Sequence, residues 1–109
     1  MTIKPLAYGF MRVPCNVTDE KLTHMEQRVQ AYAEELGFEY ATIFQEWQSG
    51  SLAAWDELIH ELQRADAHHV IVPSFNHVAR NGILRTNLMI RLEDDAKAIV
   101  HSLKEVERD

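Results

Sequence analysis

The sequence predicts a three-layer α/β sandwich built on a four-stranded, mainly parallel sheet. Three observations carry that expectation. Strand-like and helix-like segments alternate as β-α-β-α-β-α-β along 109 residues, the pattern of crossover units in a parallel sheet. The first strand is apolar on both sides, as a strand covered on two faces must be. The first and third strands each stop at a proline, which has no N–H to continue a ladder.

The elements follow in order. Residues 5–13 form the first strand, with Leu6, Tyr8 and Phe10 on one side and Ala7, Gly9, Met11 and Val13 on the other; Pro14 ends it. Thr18 is placed to cap a helix whose first turn holds Asp19 and Glu20, where the helix dipole favours acids. Leu22, Met25, Val29, Tyr32 and Leu36 recur at spacings of three and four, one helix face, and Gly37 is the expected stop. FEYATIFQE is the second strand, WQSGS a loop, and Ser51 the expected cap of a second helix with Leu52, Trp55, Leu58, Ile59 and Leu62 inward. HHVIVPSF is a short buried strand stopped by Pro73. Residues 82–93 are expected to be helical with Ile83, Leu84, Leu88 and Leu92 inward. AKAIVHSL reads as the fourth strand and KEVERD as a polar tail, so residues 1–103 are one domain and 104–109 its tail.

Composition narrows the function classes. The apolar fraction of 46% and charged fraction of 26% are those of an ordinary globular domain. No apolar run approaches the roughly 20 residues of a membrane span, and MTIKPLAYGF lacks the h-region of a secretory leader. Cys15 is the single cysteine, which rules out an internal disulfide and makes a cytoplasmic setting the expectation. Seventeen acids against eleven Lys and Arg give a net charge of −6. Duplex DNA is held by neutralising phosphates with Lys and Arg, so this balance disfavours nucleic acid and favours a protein partner or a homo-oligomer. No cofactor is expected. His68 and His69 are adjacent, so a strand sends them to opposite sides. His24, His60 and His101 fall in separate elements, and no spacing matches a zinc signature.

In parallel sheets, sites gather at the carboxyl ends of the strands. That edge collects Arg12, Pro14 and Cys15 after the first strand, Ser49-Gly50-Ser51 after the second, and SFNHVAR after the third. In that order and spacing, over roughly residues 6–103, the chain resembles the N-terminal catalytic domain of the serine recombinases, the resolvase and invertase family. The family opens with a strand Y-x-R-V-S whose serine attacks DNA phosphate. Here the chain reads Tyr8-Gly9-Phe10-Met11-Arg12-Val13-Pro14, so Arg12 and Val13 match that pattern and Pro14 stands in the nucleophile's place. The glutamine-rich first helix is matched by MEQRVQAYAEELGF and the mobile S-G loop by Ser49 and Gly50, while SLAAWDEL lacks the arginine expected downstream. The family's D-R-L-x-R becomes Asn76-His77-Val78-Ala79-Arg80, keeping only the last arginine. The family's long helix after the fourth strand has at most KEVERD as counterpart, and its helix-turn-helix module has none in this sequence.

The resemblance implies phosphoryl transfer in which a serine forms a covalent phosphodiester while arginines neutralise the phosphate oxygens. Proline has no attacking atom, and His77 replaces a permanently charged, forked donor by a largely neutral ring. The resulting expectation is a catalytically inactive domain kept as a protein-interaction or regulatory module. The alternative is a DNA-binding or recombination accessory. Arg12 and Arg80 are candidates for one shared anion; the ordinary alternative is that each pairs locally or lies over the rim. A third reading, from another class, is a thiol–imidazole enzyme using Cys15 and His77 at the sheet edge. Its ordinary alternative is a partly buried thiol beside a surface histidine. Trp55 is expected in the core from its stripe position, and Trp47 is left open between core and partner surface.

Overall fold

In the computed structural model the described residues are 3–13, 16–48 and 50–103. Pro14, Cys15, Ser49 and the tail 104–109 lie outside them. The elements run β1 (Leu6–Arg12), α1 (Asp19–Glu35), β2 (Glu39–Glu46), α2 (Ala53–Ala65), β3 (His69–Val72), a single 3₁₀ turn (Phe75–His77), α3 (Gly82–Ala96) and β4 (Ile99–Ser102). The sheet order is β2-β1-β3-β4 and every pair is parallel. The fold class is therefore the expected one. Among the described residues no helix is long and apolar enough to cross a membrane.

The alternation of β1 partitions the interior. Tyr8 and Phe10 join α2 and α3 in the larger cluster, around Trp55, Leu58, Leu62, Leu88 and Leu92. Ala7 and Met11 face α1 through Val29, Ala33 and Leu22. Trp55 is fully buried, stands edge-on to Phe10 at 4.9 Å and donates its indole N–H to the Leu88 carbonyl at 3.3 Å, which satisfies the one polar atom of a large ring. Gly9 sets the approach of α1: a Cβ there would meet Val29 at 3.0 Å and Ile43 at 2.9 Å.

Helix ends account for most of the local differences. Thr18 caps α1 as expected, accepting from the Lys21 amide at 3.2 Å. The cap position of α2 is Leu52 rather than Ser51, and Leu52 supplies no side-chain bond; Ser51 accepts from the Ala53 amide from one residue further out. Helix α3 runs three residues past the expected end, and its buried stripe is Leu88, Leu92 and Ala96. Ile83 and Leu84, expected inward, are 77% and 39% exposed. Leu84 lies one turn beyond the buried stripe, and Ile83 is rotated about 100° from it. Leu36 is likewise exposed at the end of α1. Both α2 and α3 end on left-handed residues that are not glycine, Asp66 and Lys97, each at φ 54°. His68 spans the two turns, its Nδ1 at 3.2 and 3.0 Å from the carbonyls of Ala96 and Lys97 and its Nε2 at 3.1 Å from Asp66.

Candidate functional site

The carboxyl ends of β1, β2 and β3 meet as the topology requires, and Arg12 ties them together. Its Nε donates to the Val78 carbonyl at 3.1 Å and its Nη1 to the Ser51 carbonyl at 2.8 Å. Its backbone N–H donates to Nδ1 of His77 at 3.1 Å, and its guanidinium carbon lies 5.9 Å from the Phe10 ring centre. One side chain thus spans the loop after β2 and the turn after β3. Burial pulls the guanidinium below its ordinary pKa, opposed by the charge of Glu46.

Glu46, paired with Arg12 in the register of β1 and β2, is 7% exposed. Its carboxylate accepts from the amides of Ala54 at 3.1 Å and Gln48 at 3.2 Å. It occupies the N-terminus of α2, where free amides and the helix dipole favour an anion. Burial pushes its pKa up. The two amides, the Ser51 hydroxyl and the Arg12 charge together outweigh that push and hold the carboxyl below its usual value. The sequence offered no cap signal for this arrangement, because the capping group comes from the preceding strand.

The other sequence candidates separate. His77 joins Arg12 through its backbone amide, which engages one of its two ring nitrogens. Asn76 accepts at its Oδ1 from Arg85 at 3.0 Å, and Arg85 also donates to the Ala79 carbonyl at 3.3 Å. Arg85, absent from the sequence candidates, is thus the second guanidinium that braces this edge. Arg80 is exposed and makes no hydrogen bond or ion pair among the described residues. Arg12 and Arg80 share no partner there. Gly50 sits in the loop at φ 77°, a conformation that favours glycine. Beside it an open groove of about 560 Å³ is lined by Gln45 to Gln48, Ala54 and Glu57. Trp47 borders it, 59% exposed, and so is a surface residue rather than a core one. No group of three or more metal-ligating side chains comes together among the described residues.

This fold has solved counterparts. The C-terminal catalytic domain of ISC1926 TnpA, an IS607-like serine recombinase, superposes with a TM-score of 0.74 at 15% identity, covering 93% of this chain and 71% of that one. The N-terminal catalytic domain of TP901-1 integrase gives 0.70 at 18% identity, covering 90% and 76%. A resolvase family site-specific recombinase from Streptococcus pneumoniae gives 0.72 at 16% identity, covering 92% and 72%. No curated protein matches the chain in sequence. Residues 7–109 match the family described as Resolvase, N terminal domain, and the chain belongs to that family.

Proposed function

We propose that this chain is a catalytically inactive serine-recombinase-like domain that acts as a protein-interaction or regulatory module, engaging a second copy of itself or another protein. The observation that carries the reading is the segment Arg12-Val13-Pro14. On the reading that Arg12 and Val13 answer the family's R-V-S, Pro14 falls where the serine attacks phosphate, and a chain without an attacking atom there has no covalent route.

The surroundings of Arg12 support the same reading. A guanidinium that serves a phosphate must present its N–H fork outward, whereas here two of its donors are committed to the carbonyls of Val78 and Ser51. His77 stands where the family has a permanent charge. A net charge of −6 weighs against a phosphate polymer and for a protein surface.

The test is to incubate the purified chain with supercoiled plasmid, quench in SDS and look for a protein–DNA adduct, with sedimentation velocity run across a wide concentration range. The expected result is no adduct and a mass that rises with concentration or with added partner. An SDS-resistant adduct overturns the reading.

One observation favours a second reading, a DNA-binding accessory role: Arg80 is exposed at the same sheet edge. A gel shift that weakens steeply with salt and disappears in Arg80→Ala selects that role over the protein-interaction module.

A further inference from the structure

The sequence set the histidines apart, yet two of them meet. β3 and β4 pair with His69 opposite Ile99 and Ile71 opposite His101. That register puts the two imidazoles diagonally on one face of the sheet, the face that α1 covers through Ile71 and Val29. Nδ1 of His69 lies 3.1 Å from Nε2 of His101. Phe38 stacks on His69 with ring centres 4.1 Å apart and leans over His101 at 5.4 Å, so an apolar ring flanks the pair.

We propose that His69 and His101 form a two-imidazole site for a borderline transition-metal dication of the Zn²⁺ and Ni²⁺ class. Metal–imidazole bonds are about 2.0–2.1 Å long. Across the observed 3.1 Å gap they subtend an angle of about 98° at the ion, between the right angle of an octahedral site and the wider tetrahedral one. Aiming both lone pairs at that point requires each ring to turn off the line joining the nitrogens by up to about 40°, and neither ring is fully buried. The ion replaces the proton that the two neutral rings share, and that proton moves to the other nitrogen of the same ring by exchange with water. Burial lowers the pKa of both rings, and the neighbouring histidines lower that of His69 further. The neutral, ligating forms therefore prevail at pH 7. No third ligating side chain joins the pair among the described residues, so water completes the shell and the ion exchanges freely. Imidazole donors select Zn²⁺ and Ni²⁺ over Mg²⁺ and Ca²⁺, which take oxygen.

The test uses the full chain at pH 7.5. Calorimetric titration with ZnCl₂ is run on the native protein, on His69→Ala and His101→Ala, and on His24→Ala as a control. NMR of the native histidine rings is followed as NiCl₂ is added, a readout that does not depend on whether a variant folds. The expected result is one equivalent of Zn²⁺ bound, affinity at least tenfold weaker in either site variant and unchanged in His24→Ala, and paramagnetic broadening centred on His69 and His101. Broadening centred on His77 or spread over all six histidines overturns the proposal. So does the absence of heat and of broadening at millimolar metal.

Discussion

Replacing Arg12 by methionine separates two accounts of that residue. If it is an unused remnant of a phosphate site, its removal leaves stability unchanged or improves it, because functional sites hold strain and unpaired charge. The structure argues the opposite. Two hydrogen bonds from a charged donor reach main-chain carbonyls, each worth about 1.5–3 kcal/mol. The side chain is half-buried, so water replaces part of the loss and the low end applies, about 3 kcal/mol in all. Glu46 also loses the nearest cation from its buried surroundings. With an m-value of roughly 1.5 kcal/mol/M, the urea midpoint falls by about 2 M. Arg12→Lys keeps the charge without the fork and recovers less than half of the loss. Equilibrium unfolding followed by tryptophan fluorescence and far-UV circular dichroism reads both variants. A loss below about 0.5 kcal/mol for Arg12→Met refutes the bracing role and returns Arg12 to the candidates for anion binding.

The other expectations follow from single contacts. Gly9→Ala drives a Cβ to within 2.9 Å of Ile43 and 3.0 Å of Val29 and destabilises by about 1–3 kcal/mol; because the two residues touch, Gly9→Ala with Ile43→Ala loses less in urea unfolding than the sum of the two single changes. Glu46→Ala uncaps α2 and removes two charge-assisted bonds, a loss of about 2–3 kcal/mol in urea unfolding. His69 and His101 both have folded pKa values below 6.5, so the unfolded chain takes up protons first. Stability held above pH 6.5 is therefore lost as pH falls through that value, with an upper limit of about 1.4 kcal/mol per pH unit for each ring. Solvent reduces that limit, because both rings are half-exposed. Melting temperatures between pH 8 and 5 with EDTA present measure the slope, and His69→Phe flattens it. Below pH 4.5 the depressed carboxyl of Glu46 adds a second decline of the same sign.

Most of the fold was legible because it is written in local signals. Two apolar faces on β1, a threonine followed by two acids before α1, and prolines after β1 and β3 each name their element without reference to the rest of the chain. The misplacement of Ile83 and Leu84 shows the limit of such signals. Ile83 sits about 100° round the helix from the Leu84-Leu88-Leu92 row; the spacing of Leu84 to Leu88 does suit a helix face, but whether that face has a sheet beneath it depends on where α3 lies along β4. The site was legible in position and not in direction. Arg12, His77 and Asn76 do meet the loops at one edge, but no spacing reveals that Arg12 points at carbonyls. Glu46 and Arg85 escaped notice because their partners include main-chain groups, which carry no sequence signature. His69 and His101, 32 residues apart, are joined only by the register of β3 against β4.

The paired reversals at Asp66 and Lys97 bear on how the sheet breathes. Each holds a non-glycine residue in a left-handed turn, and one imidazole clasps both. The entrances to β3 and β4 are thereby yoked, so amide protons in the two strands exchange with deuterium as one cooperative unit rather than fraying separately. Replacing His68 by alanine uncouples them, and Lys97→Gly relieves one torsion without cutting the clasp, because His68 meets Lys97 at its main-chain carbonyl, whereas Asp66→Gly removes the Oδ1 that Nε2 meets.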